Sequence, residues 1–296
     1  MTQKILIVGI GVMGAPIAKN IINAGFDVAV CDKSGDALAE FRDLASLVST
    51  SPSEAAANRN IIITVLPNSD IVENVLFGEG GALTSVDPNS LVVDMSTGSY
   101  DKTMKIAKKI KKLGHKFIDA PVGRTPREAL TGQLLVMAGG EVQYVKELDG
   151  IFKSVGDTII HVGGIGCGLK AKLINNYMAM INNVVTGETL SLAHAVGLDV
   201  GLMANLMSTT AAGLGQLNTN YPKKVLCGDL KPDFPILMAI KDLTMAIELV
   251  EGHDAVPKFG KLARQTFEGA KERGMGSLDQ TAIMKYLMSN DVKNSQ

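Results

Sequence analysis

The stretch Lys4-Ile-Leu-Ile-Val-Gly-Ile-Gly-Val-Met-Gly14 decides the fold. Its first five residues are an apolar run too short for a helix, and they read as a strand buried on both faces. Gly9, Gly11 and Gly14 follow at G-x-G-x-x-G spacing and open the helix-like segment 15–24. Each glycine has its own task there. Gly9 permits a tight turn, Gly11 lets the backbone approach a pyrophosphate, and Gly14 lets helix and strand pack closely. The amides of Val12 and Met13 then face phosphates from a helix N-terminus. The next apolar run, 28–31, ends at Asp32, 18 residues beyond Gly14. A carboxylate at that place accepts hydrogen bonds from ribose hydroxyls and repels a 2′-phosphate, so NAD, taken up as NADH, is expected over NADP. The adjacent Lys33 works in the opposite sense.

Further out, short apolar runs at 61–66, 91–95, 117–120, 134–138 and 158–162 alternate with helix-like segments at 101–113 and 142–152. Strand and helix in alternation imply βαβ units and an α/β fold with a doubly wound sheet. In open sheets of this kind ligands lie outside the carboxyl ends of the strands. That nominates Leu66, Pro67 and Asn68 after one run, and Ser96 and Thr97 after another. Past about Gly166 the strand-like runs stop, and Met-, Ala- and Leu-rich helical periodicity continues to about residue 288. The segment 169–196 contains no Pro and one Gly, and is expected to form one helix of roughly 40 Å. The expectation is a Rossmann-type NAD-binding domain over 1–164 and an all-helical substrate and dimerisation domain over 165–296, joined by this long helix, with 291–296 a frayed tail.

The totals set limits. A chain of 296 residues has room for about two domains of roughly 150 residues each. Aromatics are 4% of the chain with no Trp, and 29 basic residues balance 30 acidic ones. Neither a stacking platform nor a field for polyanions is expected, which disfavours nucleic-acid binding. The three cysteines are far apart, so neither a disulfide framework nor a zinc site is expected, and a reducing, cytoplasmic setting is. The four histidines lack ligand spacing, and no metal is expected. No apolar stretch approaches the 18 or so residues of a membrane span, and the N-terminus shows no cationic leader.

Gly168 opens the run Leu-Lys-Ala-Lys172-Leu-Ile-Asn175-Asn176. On a helix Lys172 and Asn176 share a face, and Asn175 flanks it. A lysine and two amides near the start of an otherwise apolar helix are costly unless they meet a ligand or partners. From spacing alone, solvated lysines and asparagines bonded to backbone fit equally well.

At these residues the sequence resembles the β-hydroxyacid dehydrogenases, across nearly the whole chain and through four motifs. They are GxGxMG at 9–14; Asp119-Ala-Pro-Val122 followed by Gly132-x-Leu-x-x-Met-x-Gly-Gly140; Gly168-x-x-x-Lys172-x-x-x-Asn176; and Lys241-Asp242-Leu243. The resemblance implies that Lys172 is the general acid/base, that Asn176 orients the substrate and that Lys241 lies near the cofactor. The chemistry agrees: carbonyl reduction needs a proton at oxygen, and a positioned acid contributes ~10²–10⁴-fold. Burial that lowers the lysine's pKa also serves the reverse reaction.

Most members of that family carry Ser-Gly-Gly after Ala-Pro-Val, whereas this chain has Gly123-Arg124-Thr125. The turn gains a guanidinium, whose planar fork suits oxyanions, and a hydroxyl. Together with segments 172–178, 210–213 and 228–230, it resembles a branch of the family that reduces a sulfonated aldehyde. That implies NADH-dependent reduction of 3-sulfolactaldehyde to 2,3-dihydroxypropane-1-sulfonate, with Arg124, Thr125 and Asn175 on the sulfonate. Three alternatives stand beside it: an Arg124 merely paired with Glu128; a carboxylate substrate such as succinic, tartronic or methylmalonic semialdehyde, since Arg binds both anions well; and a non-catalytic NAD-sensing module. Ile240 is a further departure, at a position where the family commonly has His. The resemblance also implies a homodimer or homotetramer.

Overall fold

The computed structural model describes residues 3–291; residues 292–296 of the expected tail lie outside the described residues. Among the described residues nine strands form one sheet: β1 (Lys4–Val8), β2 (Asp27–Cys31), β3 (Leu47–Ser49), β4 (Ile61–Thr64), β5 (Leu91–Asp94), β6 (Lys116–Asp119), β7 (Val122–Gly123), β8 (Leu134–Gly139) and β9 (Gly156–Gly163). Their order is β3-β2-β1-β4-β5-β6-β8-β7, with β9 paired to β8. The chain runs outward one way from β1 through β2 and β3, then returns to β4 on the other side. Between β1 and β4 lies the switch point where an open α/β sheet leaves a crevice.

Alternate side chains of the central strands feed two separate cores. Ile5, Ile7, Ile61, Ile63, Leu91 and Val93 pack on one face, with Ile17 and Ile21 of the helix Gly14–Asn23 and Ile151, Phe152 and Val155 of the helix Asp149–Val155. Leu6, Val8, Ile62 and Val92 pack on the other, with Val72 and Leu76 of the helix Ser69–Phe77 and Ile106 and Ile110 of the helix Tyr100–Lys112. Two cores are why these strands are apolar at every position rather than at every second one.

The sheet departs from expectation at its far side. β1 to β6 are parallel, but β8 runs antiparallel to both β6 and β7. β9 is an edge with partly exposed residues, Ile160 among them, so run 158–162 is not buried on both faces. β3 and β7 are too short to leave a periodic signal. Segment 142–152, read as one helix, is two, Val142–Glu147 and Asp149–Val155. The break falls at Leu148, whose side chain is fully buried and whose backbone leaves helical angles at φ −94° and ψ 2°.

The chain divides into two compact units, Met1–Met178 and Ala179–Gln296. The division falls inside the continuous helix Cys167–Ala195, later than the change of texture near Gly166. The second unit is helical. Its small core joins Ile236, Ala270 and Ala282 with Phe267 and Tyr286, and Ile240 packs there as an apolar residue should. Glu188 on the long helix accepts hydrogen bonds from the amides of Lys258 (3.0 Å), Phe259 (3.0 Å) and Gly260 (3.4 Å), satisfying the start of the helix Lys258–Ala270. A carboxylate at a helix N-terminus meets both the unpaired N–H groups and the helix dipole. Among the described residues no helix is long and apolar enough to cross a membrane.

Candidate active site

A cleft of about 790 Å³ opens in the first unit at the carboxyl ends of β1, β2, β4 and β5. The glycine turn forms its floor. Gly9 has φ +96°, and a Cβ there would collide with the Val65 carbonyl; a Cβ on Gly14 would strike the Gly9 carbonyl. Both glycines are therefore required by the protein itself. Gly11 differs: a Cβ on it would meet no protein atom and would project into space the cleft leaves open. The helix Gly14–Asn23 that follows begins at Met13 without a side-chain cap. Ala15 N–H turns back to the Gly11 carbonyl (2.9 Å) and Pro16 has no N–H, which leaves the amides of Val12, Met13 and Gly14 for an anion, the arrangement that receives a pyrophosphate.

Asp32, at the end of β2, accepts hydrogen bonds from the amides of Ile10 (2.7 Å, to Oδ2) and Ser34 (2.9 Å, to Oδ1). It thus ties the glycine turn to its own strand. A carboxylate offers about four acceptor sites, so it retains capacity for ribose hydroxyls. Val12, Met13, Asp32, Lys33, Leu66, Pro67, Ser96 and Thr97 line the same cleft. Ser96 is buried and engaged: its hydroxyl accepts from Leu66 N–H (2.9 Å) and donates to the Thr64 carbonyl (3.4 Å). Asn68 is spent on the helix Ser69–Phe77, which it caps through Ile71 N–H (3.0 Å). The donors and surfaces present fit a dinucleotide.

Lys172 lines the cleft as well. It stands in the second turn of the helix Cys167–Ala195 and is half-buried, and burial alone pulls its pKa below the ordinary lysine value. No carboxylate among the described residues pairs with it. Lys170, two residues earlier, is exposed and lies 4.7 Å from the centre of the Tyr100 ring. The structure thus separates two lysines that spacing alone left equivalent. Asn176 is partly buried and Asn175 exposed on the same helix; neither is among the cleft-lining residues.

The turn after β7 carries Arg124. It lines the cleft, and its backbone holds φ +75°, the left-handed region that favours glycine. Its guanidinium is already engaged, donating to Asp157 Oδ1 (2.7 Å), to Thr158 Oγ1 (3.2 Å) and to the Gln133 carbonyl. Asp157 holds the Arg124 pKa above its ordinary value and is itself held below the usual carboxylate range by that guanidinium. The ion partner is therefore Asp157 and not Glu128. Glu128 instead closes a capping box with Thr125, accepting from the Thr125 amide (2.9 Å) and hydroxyl (2.5 Å) at the start of the helix Pro126–Leu130. Gly123 is buried on β7. Lys241 belongs to the second unit, in the helix Ile236–Glu251, where its ammonium pairs with Asp242 (3.0 Å).

Sequence reasoning missed two groups that matter here. Asp157 left no signal, because it meets Arg124 only through the β8–β9 pairing. Thr50, Asn74 and Val75 also line the cleft; they lie in segments whose periodicity says nothing about ligands.

Comparison with known proteins gives concordant matches. Residues 4–163 match the NAD binding domain of 6-phosphogluconate dehydrogenase, and residues 166–287 match the NAD-binding domain of NADP-dependent 3-hydroxyisobutyrate dehydrogenase. The chain is 37% identical to the 3-sulfolactaldehyde reductase of Escherichia coli (strain K12), over 96% of this chain and 95% of that one. It is 31% identical to the 2-(hydroxymethyl)glutarate dehydrogenase of Eubacterium barkeri, over 95% and 94%. Among solved structures, the Mycobacterium tuberculosis 3-hydroxyisobutyrate dehydrogenase with L-serine superposes with a TM-score of 0.67 at 25% identity, covering 97% of this chain and 99% of that one.

Proposed function

Because the chain belongs to the β-hydroxyacid dehydrogenases of the 3-hydroxyisobutyrate dehydrogenase type, which are NAD-dependent oxidoreductases, we propose that it reduces 3-sulfolactaldehyde to 2,3-dihydroxypropane-1-sulfonate with NADH. The observation that carries this reading is the sharing of one cleft by the glycine turn, Lys172 and Arg124. Held by the glycine turn and Asp32, a nicotinamide cofactor would supply the hydride that carbonyl reduction needs. Lys172 supplies the proton to the aldehyde oxygen, and its ammonium offsets the negative charge that develops there. Its half-buried place lowers its pKa, which keeps the neutral amine accessible as a base for the reverse reaction. Asn176, one turn further along the helix, orients the substrate.

Arg124 and Asn175 take the sulfonate. The hydroxyl hydrogen of Thr125 already goes to Glu128, so Thr125 fixes the turn, and Gly123 admits the chain beside it. Asp32 favours NADH over NADPH by repelling a 2′-phosphate. We also propose a homodimer or homotetramer. Its support is the exposure of Leu202, Leu206, Leu249 and Leu262 in the second unit, beyond what a solvated helix face needs. Light scattering after size exclusion counts the subunits.

A second reading is favoured by one observation. Asp157, Thr158 and Gln133 already take donors of Arg124, and a planar two-oxygen carboxylate needs fewer of the rest than a three-oxygen sulfonate of the same single charge. The experiment that decides is kcat/KM for sulfolactaldehyde against succinic, tartronic and methylmalonic semialdehydes, each with NADH and NADPH. Preference for a carboxylate replaces the sulfonate assignment. Lys172→Ala should cost ~10²-fold or more in kcat, and full turnover by that variant removes the mechanism.

A further inference from the structure

Two of the four motifs that looked separate along the chain, the one over 119–140 and the one over 168–176, meet at one buried carboxylate. Asp119 ends β6 and is 1% exposed. Its Oδ1 accepts from Gly166 N–H (2.6 Å) and its Oδ2 from Leu169 N–H (2.7 Å). Those are amides of the residue just before the helix Cys167–Ala195 and of its third residue, two of the four N–H groups that a helix start leaves unpaired. A third, Cys167 N–H, goes to the Gly164 carbonyl (3.0 Å). Space for the carboxylate comes from glycines: a Cβ on Gly139 would lie 2.7 Å from Oδ1, and one on Gly168 2.9 Å from Oδ2.

We propose that Asp119 is a positioning residue for Lys172: its carboxylate clamps the first turn of the long helix and thereby fixes where the lysine, three residues beyond Leu169, stands in the cleft. The inference rests on Lys172 being the proton donor. The chain entering this helix contains Gly163, Gly164, Gly166 and Gly168, whose backbone loses more freedom on ordering than any other residue's. A single carboxylate spanning two amides supplies the order those glycines lack. A misplacement of about 1 Å in a catalytic group can cost ~10²-fold in rate.

The clamp needs the ionised form, since a protonated carboxyl points a donor at one of the two amides. Burial, opposed by the two amides and reinforced by Asp94, pushes the Asp119 pKa up to about 6. Asp94 on β5, its register partner, is the charged side chain facing it; β8 presents Gly139 and the helix presents backbone amides. The sign follows. The folded pKa lies above the ordinary 3.8, so protonation is favoured by folding between the two values, while the clamp tightens as pH rises through about 6.

The test compares Asp119→Asn with the intact protein in kcat, in NADH affinity by fluorescence, and in hydrogen exchange at the Leu169 amide. Asparagine keeps the shape but accepts from only one amide. Expected are a kcat lower by about 10- to 100-fold, an NADH Kd within about threefold because the glycine turn is untouched, faster exchange at Leu169, and loss of the acid limb. An unchanged kcat with the limb retained overturns the proposal, as does unchanged exchange at Leu169. If the variant does not fold, the intact protein decides: kcat should fall as pH drops through about 6 with the NADH Kd constant, and a flat kcat from pH 5 to 8 overturns the clamp. Lys172→Ala separates the two readings. Leu169 should stay protected in it, so full turnover by that variant sinks the lysine's role without touching the clamp.

Discussion

At the scale of single residues, Arg124 carries both a cost and a purpose. A side chain at φ +75° is strained by roughly 1–2 kcal/mol, and the family's usual residue there is glycine, which is not. The backbone has kept the glycine's conformation while gaining a guanidinium. Arg124→Gly therefore removes the charge without asking the turn to move. We expect its KM for the anionic aldehyde to rise about 10- to 100-fold, as for a charge-assisted hydrogen bond left unmade. Relief of strain opposes the lost ion pair with Asp157 and the greater unfolded-state freedom of glycine, so its Tm should stay within about 2 °C. Arg124→Ala should raise KM similarly and lose Tm as well, because alanine inherits the strain and not the ion pair. Equal KM values for Arg124→Gly and the intact enzyme would place the anion elsewhere.

At the scale of elements, the first turn was legible because its glycines act on their immediate surroundings. A Cβ on Gly9 or Gly14 would collide with backbone at the neighbouring strand's end or within the turn, and such short-range constraints leave a fixed spacing. The helix Cys167–Ala195 was legible too, since nothing in it breaks the helical pattern. What stayed hidden depends on partners brought together by the sheet. Asp119 reaches amides 47 and 50 residues away, Asp157 meets Arg124 from 33 residues off, and β7 is two residues long. Spacing rules cannot register any of these. The glycines of the turn yield a contrast that melting curves and NADH titrations can check. Gly14→Ala should fail to fold or melt far below the intact protein. Gly11→Ala should melt normally and lose about 10-fold or more in NADH affinity, a desolvated phosphate contact left unmade. Normal NADH affinity in Gly11→Ala would mean that the phosphates lie off this turn.

At the scale of the whole molecule, texture placed a boundary near residue 164, while the first compact unit runs to Met178. The stretch between the two supplies both amides that Asp119 binds and the lysine itself. A fragment ending at 164 strips that carboxylate of both amides, a loss of roughly 1.5–3 kcal/mol for each hydrogen bond to a charged group. A fragment ending at 178 does not. The longer fragment should bind NADH with the affinity of the full chain, and the shorter should aggregate or melt lower; the reverse ranking by circular dichroism would show that the glycine-rich entry to the helix is dispensable to the nucleotide-binding half. For protein engineering this fixes where a chimera can be joined. The run of glycines at 163–168 has the look of a natural hinge, yet it is the seat of a buried anion, and a foreign second unit must be spliced downstream of the helix's third turn.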